Sequence, residues 1–286
     1  MSYILFAWIA SISSGLLVVI TKLTSKHAIA NPWLFNFLRS LVVVVFIIPL
    51  AIINHSGMPN NWIPIIVAAI TSVLFYILYI LAIYKLDVTT IVPLFNFRTV
   101  FAVLLGVLLF QEKFTTYQYF LVLVIIVAGI FSTIDEKFNV RSFFNKAVGI
   151  ALLAMIFLAL NSVAVKWAFM FDDVWTVNLW IGVISLIIVL PTLPLFYKDL
   201  FKVGRNQILS IGVIGFFQTI TNLTFTLALA VSVGITSVIV TIPFSMILAV
   251  MFSVFASKLL EKHTAKIYII RFTAAAIMIY GALQLS

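Results

Sequence analysis

The stretch Pro93–Glu112, PLFNFRTVFAVLLGVLLFQE, decides how this chain is interpreted. It is as apolar as a membrane-spanning helix, yet it carries Asn96 and Arg98 in its first turns. A guanidinium group stays charged in proteins, and placing it in hydrocarbon costs several kcal/mol unless it faces a cavity or a partner. The stretch therefore predicts a membrane helix that carries a functional positive charge at depth.

The composition extends the membrane assignment to the whole chain. Of the 286 residues, 64% are hydrophobic and only 9% are charged, whereas about a quarter of a soluble domain is charged. Long continuous apolar runs favour helices over the alternating strands of a barrel. Because cysteine is absent, disulfides and thiolate chemistry are excluded. We attribute the net charge of +9 to basic loops at a membrane surface, not to nucleic acid binding.

Ten apolar spans can be drawn, separated by short polar turns. The most charged connection is the one near 134–146, and the spans leave no room for a soluble domain. The expected fold class is an all-α integral membrane protein. The predicted spans are 2–21, 33–53, 62–84, 89–110, 116–133, 147–170, 175–197, 207–229, 234–256 and 265–285.

An internal repeat relates the two halves of the chain. Residues recur in the same order, Trp33, Asn36 and Pro49 as Trp175, Asn178 and Pro191, then Glu112 and Thr115 as Glu261 and Thr264. The pattern predicts two five-helix repeats, 1–134 and 147–286, joined by a charged connecting loop, 135–146. Since five is odd, the second repeat enters the membrane from the other side. Inverted repeats are typical of transporters with a substrate site near the midplane.

Residues 82–112, AIYKLDVTTIVPLFNFRTVFAVLLGVLLFQE, resemble the third-to-fourth helix signature of EamA-type transporters of the drug/metabolite transporter superfamily. Gln111-Glu112-Lys113 and Leu260-Glu261-Lys262 stand where that family carries a Gly-Glu-Arg-like sequence. The usual Trp-Gly of its first helix is replaced here by Ser14-Gly15. The resemblance implies export or exchange of small metabolites, commonly amino acids, across the inner (plasma) membrane. It also implies a central cavity lined by helices 1, 3, 4, 6, 8 and 9.

The membrane orientation has two conflicting indications. Twelve of the seventeen Lys and Arg residues fall in loops after odd-numbered spans, and only Lys113 and Lys166 fall on the opposite side. The positive-inside rule then places both termini outside the cytoplasm, whereas members of the resembled family are usually drawn with cytoplasmic termini. We leave the orientation open.

Three arginines lie inside predicted spans. Arg98 has no basic counterpart in the second repeat, where Ile247 takes its place, and this asymmetry favours substrate contact. The alternative is that Arg98 binds carbonyl groups at a helix end or pairs with Asp87. For Arg39 we weigh a functional role against snorkelling toward an interface, and for Arg271 snorkelling is the preferred interpretation.

Polar side chains in three further spans are candidates for lining the cavity. Span 8 carries a stripe of Gln218, Asn222 and Thr226, and span 3 carries Tyr76 and Tyr79 at helical spacing. Asn161 is an isolated amide in span 6. Hydrogen bonds between helices would produce similar patterns. The predicted substrate-binding residues are Arg98, Asn96, Tyr79, Tyr76, Asn161, Gln218 and Asn222.

No grouping in the sequence indicates catalysis or a cofactor. All eight acidic residues are interpreted as lying in loops or at helix ends, and the three histidines as lying in solvated loops. We find no nucleophile with a base, no metal-ligand spacing and no glycine loop for phosphate. The expectation is therefore no enzyme, no cofactor and no metal, with the lipid bilayer and a small molecule as the partners. A monomer is compatible with this architecture.

The function expected from the sequence is secondary transport of a small solute with an anionic group, by alternating access. Arg98 would bind the anion, and amino acids are the favoured solutes, largely from the resemblance. The main alternative is an exporter of lipophilic or aromatic compounds, for which a cavity lined only by Phe and Leu would be expected. A membrane-embedded enzyme or a non-transporting scaffold with a sealed core are the alternatives from other classes.

Overall fold

Helices are the only regular elements in the part of the chain that the structure describes. The computed structural model describes residues 3–98, 100–101, 115–134, 143–231, 244–255 and 263–285. Its helices are α1 (Tyr3–His27), α2 (Pro32–Ile53), α3 (Trp62–Ile83), α4 (Val88–Leu94), α5 (Thr116–Ser132), α6 (Lys146–Ala168), α7 (Val174–Val189), α8 (Tyr197–Leu200), α9 (Arg205–Val231), α10 (Phe244–Phe255) and α11 (Ala265–Leu285). A 3-10 helix, Leu190–Leu195, connects α7 to α8.

Six helical segments among these residues are long and apolar enough to cross a membrane, and α5 is a shorter apolar helix. The six are Ile4–His27, Pro32–Ile53, Trp62–Ile83, Lys146–Ala168, Val174–Leu195 and Arg205–Ala228. The described residues are thus all-helical, with helices that agree with a membrane protein in length and composition. Parts of predicted spans 4 and 9 lie outside the described residues, so the number of ten spans stays a prediction.

Local sequence signals explain where five of these helices begin. Four helices begin at a residue whose side-chain oxygen accepts a hydrogen bond from a free backbone N–H group of the first turn. These residues are Asn31 for α2, Asn61 for α3, Asn145 for α6 and Asp173 for α7. At α5, Thr115 and Gln118 form the reciprocal capping box that their spacing predicts. The starts of five helices are therefore encoded within a few residues.

Proline explains two interruptions, and α1 departs from its predicted end. The helix that begins at Val88 ends at Leu94, directly after Pro93, and helical backbone resumes at Phe97. Predicted span 7 changes to a 3-10 helix at Leu190–Leu195, which contains two prolines. The apolar run ends near residue 21, but α1 continues to His27, and Lys22, Thr24 and Ser25 beyond the apolar run are buried.

The helices pack in matched pairs. The most extensive contacts join α3 to α6 and α1 to α9, and α5 packs against α11. Helix α2 lies between α7 and α9, and α3 also contacts α7. A buried core centred on Phe35, Ile80, Leu94 and Met155 fills the space between them, while large apolar side chains such as Ile52, at 69% exposure, cover the outside. An apolar exterior is expected of a surface that faces lipid.

Hydrogen bonds join loops from the two halves of the chain. Asn60 donates from its backbone and its side chain to Asp172, at 2.8 and 2.9 Å. Elsewhere the Asn31 side chain donates to Asp199 at 2.8 Å, and Gln207 donates to the carbonyl of Ala28. These contacts join the α2–α3 connection to the α6–α7 connection, and the α1–α2 connection to α8 and to the start of α9.

Candidate functional site

A hydrogen-bonded network joins α3 to α9 inside the bundle. The side-chain nitrogen of Gln218 donates to the Tyr76 hydroxyl at 2.6 Å and to the Asn222 carbonyl oxygen at 3.0 Å. Gln218 is only 3% exposed. Three of the residues singled out in the sequence therefore meet, and each satisfies part of the hydrogen-bonding capacity of the next.

Aromatic rings extend this network along α3. Tyr79 is buried and stacks on Phe75, with ring centroids 5.6 Å apart, and the ring centroid of Phe95 lies 5.7 Å from that of Tyr79. Phe95 occupies the turn that follows α4. Tyr79 therefore lies between α3 and the interrupted helix that carries Arg98.

Arg98 is half-buried in the helical backbone that resumes after this turn. Its guanidinium carbon lies 5.7 Å from the ring centroid of Phe225, three residues after Asn222 on α9. Within the described part of the chain no carboxylate pairs with Arg98 and no acceptor binds it. The considered pair with Asp87 does not form, because Asp87 binds His263 and Arg271 instead.

Asn96 and Asn161 have local partners outside the network. The Asn96 amide is 7% exposed and donates to the carbonyl of Pro93 at 3.1 Å, at the interruption of the helix. The Asn161 amide donates from α6 to the Ala68 carbonyl at 2.8 Å and to the Thr71 hydroxyl at 3.3 Å. One amide thus supports a helix break, and the other joins two helices.

Arg39 is a member of the site that sequence reasoning undervalued. The considered interpretation as an interfacial, snorkelling residue is wrong, because Arg39 is 8% exposed and its guanidinium carbon lies 3.5 Å from the Tyr76 ring centroid. Its Nη2 donates to Asn36 at 3.4 Å and to Ser40 at 3.3 Å, both long. The sequence feature that could have indicated a buried Arg39 is Asn36, which lies one turn earlier and recurs in the second repeat.

A narrow recess opens between α2, α7 and α9. It is lined by Val43, Ile47, Asn178, Thr219 and Asn222. Asn222 belongs to both the recess and the network with Gln218. The lining combines two aliphatic side chains with three polar ones.

A second polar cluster joins α4 to the start of α11. His263 Nε2 lies 2.8 Å from Asp87 Oδ2, and Arg271 Nη1 lies 3.7 Å from the same oxygen. Arg271 also donates to the Thr89 hydroxyl at 2.6 Å and to the Ile134 carbonyl at 3.0 Å. Two expectations are corrected here: Arg271 is 3% exposed and does not snorkel, and His263 is not a solvated loop residue.

The charges around Asp87 explain its protonation behaviour. Burial acts to raise the pKa of Asp87, but the hydrogen bond and charge of His263, with the charges of Arg271 and Lys22, outweigh it and lower the pKa. Lys22 was expected in a loop. It is instead 5% exposed on α1, where its amine donates to the carbonyls of Ile83 and Leu86 at 3.0 and 2.8 Å. The cluster therefore favours an ionised Asp87.

The described residues contain no group of three or more His, Asp or Glu side chains that could hold a metal ion. The polar groups of the site are guanidinium groups, amides and phenols. These groups bind and orient acceptor atoms.

The apolar helical bundle with its buried polar network defines a multi-pass membrane protein. Residues 1–134 match the EamA-like transporter family. This match confirms the resemblance drawn from the sequence and indicates a membrane transporter of the drug/metabolite transporter superfamily. A comparison with curated proteins finds no significant match to the chain.

Proposed function

We propose that this protein is a secondary transporter that moves a small solute with an anionic group across the inner (plasma) membrane. The observation that carries the proposal is Arg98, an intramembrane guanidinium for which the described residues supply no carboxylate. A charge at this depth is costly unless it has a functional partner. A carboxylate or phosphate on the solute would be that partner, and amino acids are the favoured class.

The polar and aromatic groups near Arg98 support a solute-binding role. Phe225, beside the guanidinium, lies on α9 one turn from Asn222, which belongs to the network with Gln218 and Tyr76. We propose that these three polar residues and Tyr79 contact the solute. Asn96 and Asn161 would act from outside this group, Asn96 by shaping the break before Arg98 and Asn161 by joining α3 to α6. No step in this proposal requires an enzyme or a cofactor.

The pairing of helices supports alternating access by two inverted repeats, residues 1–134 and 147–286. If α1, α2 and α3 correspond to α6, α7 and α9, the α3–α6 contact corresponds to α9–α1. The α2–α9 contact likewise corresponds to α7–α3, and the α2–α7 contact maps onto itself. Such a two-fold relation allows one half to rock against the other around a site between them.

Transport by reconstituted protein tests the proposal. The chain would be placed in liposomes and assayed by counterflow of radiolabelled L-leucine, L-phenylalanine, L-glutamate and L-lactate. We expect Arg98→Ala to lower the flux of the transported compound about tenfold or more, because a charge-assisted hydrogen bond is lost. Arg98→Lys should retain partial flux if charge alone is needed.

Arg205→Ala is the matched control, since it removes an exposed arginine at the start of α9. It should leave the flux unchanged, and thermal unfolding of all variants would verify folding. Equal flux in the wild-type protein and Arg98→Ala would contradict the role of Arg98. Transport of neutral lipophilic dyes in place of these compounds would favour the alternative exporter.

A further inference from the structure

Arg39 is the more deeply buried of the two guanidinium groups near the network. One face of its guanidinium is covered by the Tyr76 ring at 3.5 Å, and the side chain is 8% exposed. Stacking on an aromatic face fixes the plane of the group and leaves its N–H edges available for acceptors. The orientation of Arg39 is therefore set before any ligand arrives.

Two buried hydrogen-bond donors on α2 have no acceptor among the described residues. In the part of the chain that the structure describes, Arg39 Nε and Asn36 Nδ2 are buried without an acceptor. Asn36 is 2% exposed, and its own oxygen already accepts from Arg39 Nη2 at 3.4 Å. A buried donor without an acceptor destabilises the fold, and the loss is greater for a charged group. Two adjacent donors in this state indicate a missing acceptor.

The described residues do not supply that acceptor or a counter-charge. The titratable groups that face Arg39 are Tyr76 and Tyr79, both phenols. The described ion pairs to Asp87 come from His263 and Arg271, so this carboxylate belongs to the other cluster. Arg39 therefore contributes a net positive charge to the interior between α2 and α3.

The repeat gives an independent reason to regard Arg39 as specific to ligand binding. Asn36 recurs as Asn178, but the residue 142 positions after Arg39 is Ile181. A guanidinium needed only to hold the two-fold architecture would be expected in both repeats. The Asn36 amide is thus part of the repeated framework, whereas the Arg39 guanidinium occurs in the first repeat only.

We propose that Arg39 and Asn36 form a binding site for a carboxylate group, separate from Arg98. The Nε and one Nη of an arginine form a fork that matches the two oxygens of a carboxylate, and the Asn36 amide adds a third donor. The donor geometry identifies the bound group as a carboxylate. That this carboxylate belongs to the transported solute rests on the proposed function. A spherical halide would leave the fork geometry unused.

The test measures thermal unfolding of the purified full-length chain with matched ligands. Acetate and propionate would be titrated against chloride at constant ionic strength, with acetamide and propionamide as neutral isosteres. We expect a saturable rise in Tm with the carboxylates and none with the amides. Arg39→Gln should lower the apparent affinity for acetate about tenfold or more, since charge-assisted hydrogen bonds are lost.

Asn36→Asp provides a second variant that preserves volume. It places a carboxylate beside Arg39 within the chain, so we expect a higher Tm without ligand and no further rise with acetate. Arg205→Gln, which removes an exposed arginine at the start of α9, should keep the acetate response. The inference is overturned if chloride stabilises as acetate does, if no carboxylate stabilises the wild-type chain, or if Arg39→Gln keeps the acetate response and Arg98→Gln removes it.

Discussion

His263 Nε2 lies 2.8 Å from Asp87 Oδ2, and this bond joins the loop before α4 to the segment before α11. The two residues are 176 positions apart in the sequence. Arg271 Nη1 lies 3.7 Å from the same carboxylate oxygen, and Arg271 Nη2 donates a hydrogen bond to the carbonyl of Ile134. A single carboxylate thus connects parts of both halves of the chain at one end of the bundle.

The ionised form of Asp87 should stabilise the fold in a pH-dependent way. Because its folded-state pKa is lowered, its contribution is present above the unfolded pKa, about 3.9 for an aspartate, and is lost as the pH falls through the folded pKa. We therefore expect Tm to fall in acid below about pH 4. Asp87→Asn should have a lower Tm at neutral pH and a flatter acid limb.

Thermal unfolding of the wild-type protein, Asp87→Asn and Asp199→Asn from neutral to acidic pH would measure this effect. Asp199 is the control because it accepts one described side-chain hydrogen bond, from Asn31, outside the cluster. The control should keep the wild-type acid limb. An unchanged acid limb in Asp87→Asn would show that the cluster does not couple folding to pH.

Gly15 should be required for the close approach of α1 and α10. A Cβ at this position would lie 2.7 Å from the Phe244 Cβ and 3.1 Å from the Ser245 backbone nitrogen. Since backbone cannot move aside cheaply, we expect Gly15→Ala to destabilise the protein by about 1–3 kcal/mol. Gly212→Ala on α9 is the matched control, because a Cβ there meets nothing within 4 Å.

The control should be neutral or stabilising by up to about 1 kcal/mol, as expected for Gly to Ala in a helix. Equilibrium unfolding in detergent would compare the two variants. If both glycines could be replaced with the same result, α1 and α10 would not approach as closely as described.

Asn161 should contribute to stability and not to solute binding. Its amide binds the Ala68 carbonyl and the Thr71 hydroxyl across the α3–α6 contact. Interhelical hydrogen bonds in membranes contribute about 0.6 kcal/mol on average, with values up to about 1.7. We expect Asn161→Ala to lower stability by an amount in this range and to leave solute affinity unchanged.

A double-mutant cycle with Thr71→Val would isolate the Asn161–Thr71 bond from other effects of truncation. The double variant should lose less stability than the sum of the two single variants. The difference should be smaller than the full loss in Asn161→Ala, because Ala68 also accepts from Asn161. A large loss of solute affinity with unchanged unfolding would instead place Asn161 in the binding site.

Much of the helical organisation could be predicted because its signals are local. The predicted start of α3 at 62 agrees with the structure, and the start of α5 follows from the local capping box of Thr115 and Gln118. The end of α1 was missed because Lys22 reads as a loop residue in sequence. The carbonyls of Ile83 and Leu86, over sixty residues away, accept hydrogen bonds from the buried lysine, and these contacts cannot be seen in the sequence.

The amino-acid sequence by itself determined that this is a helical membrane protein, since apolar spans and caps act within one helix. It also located the groups that meet in the network, because Tyr76, Gln218 and Asn222 are polar residues in apolar spans. The tertiary structure decided which charges are paired. Arg39 and Arg271 look alike in sequence, but Asp87 reaches only Arg271, and an ion pair between distant segments exists only once the helices have packed.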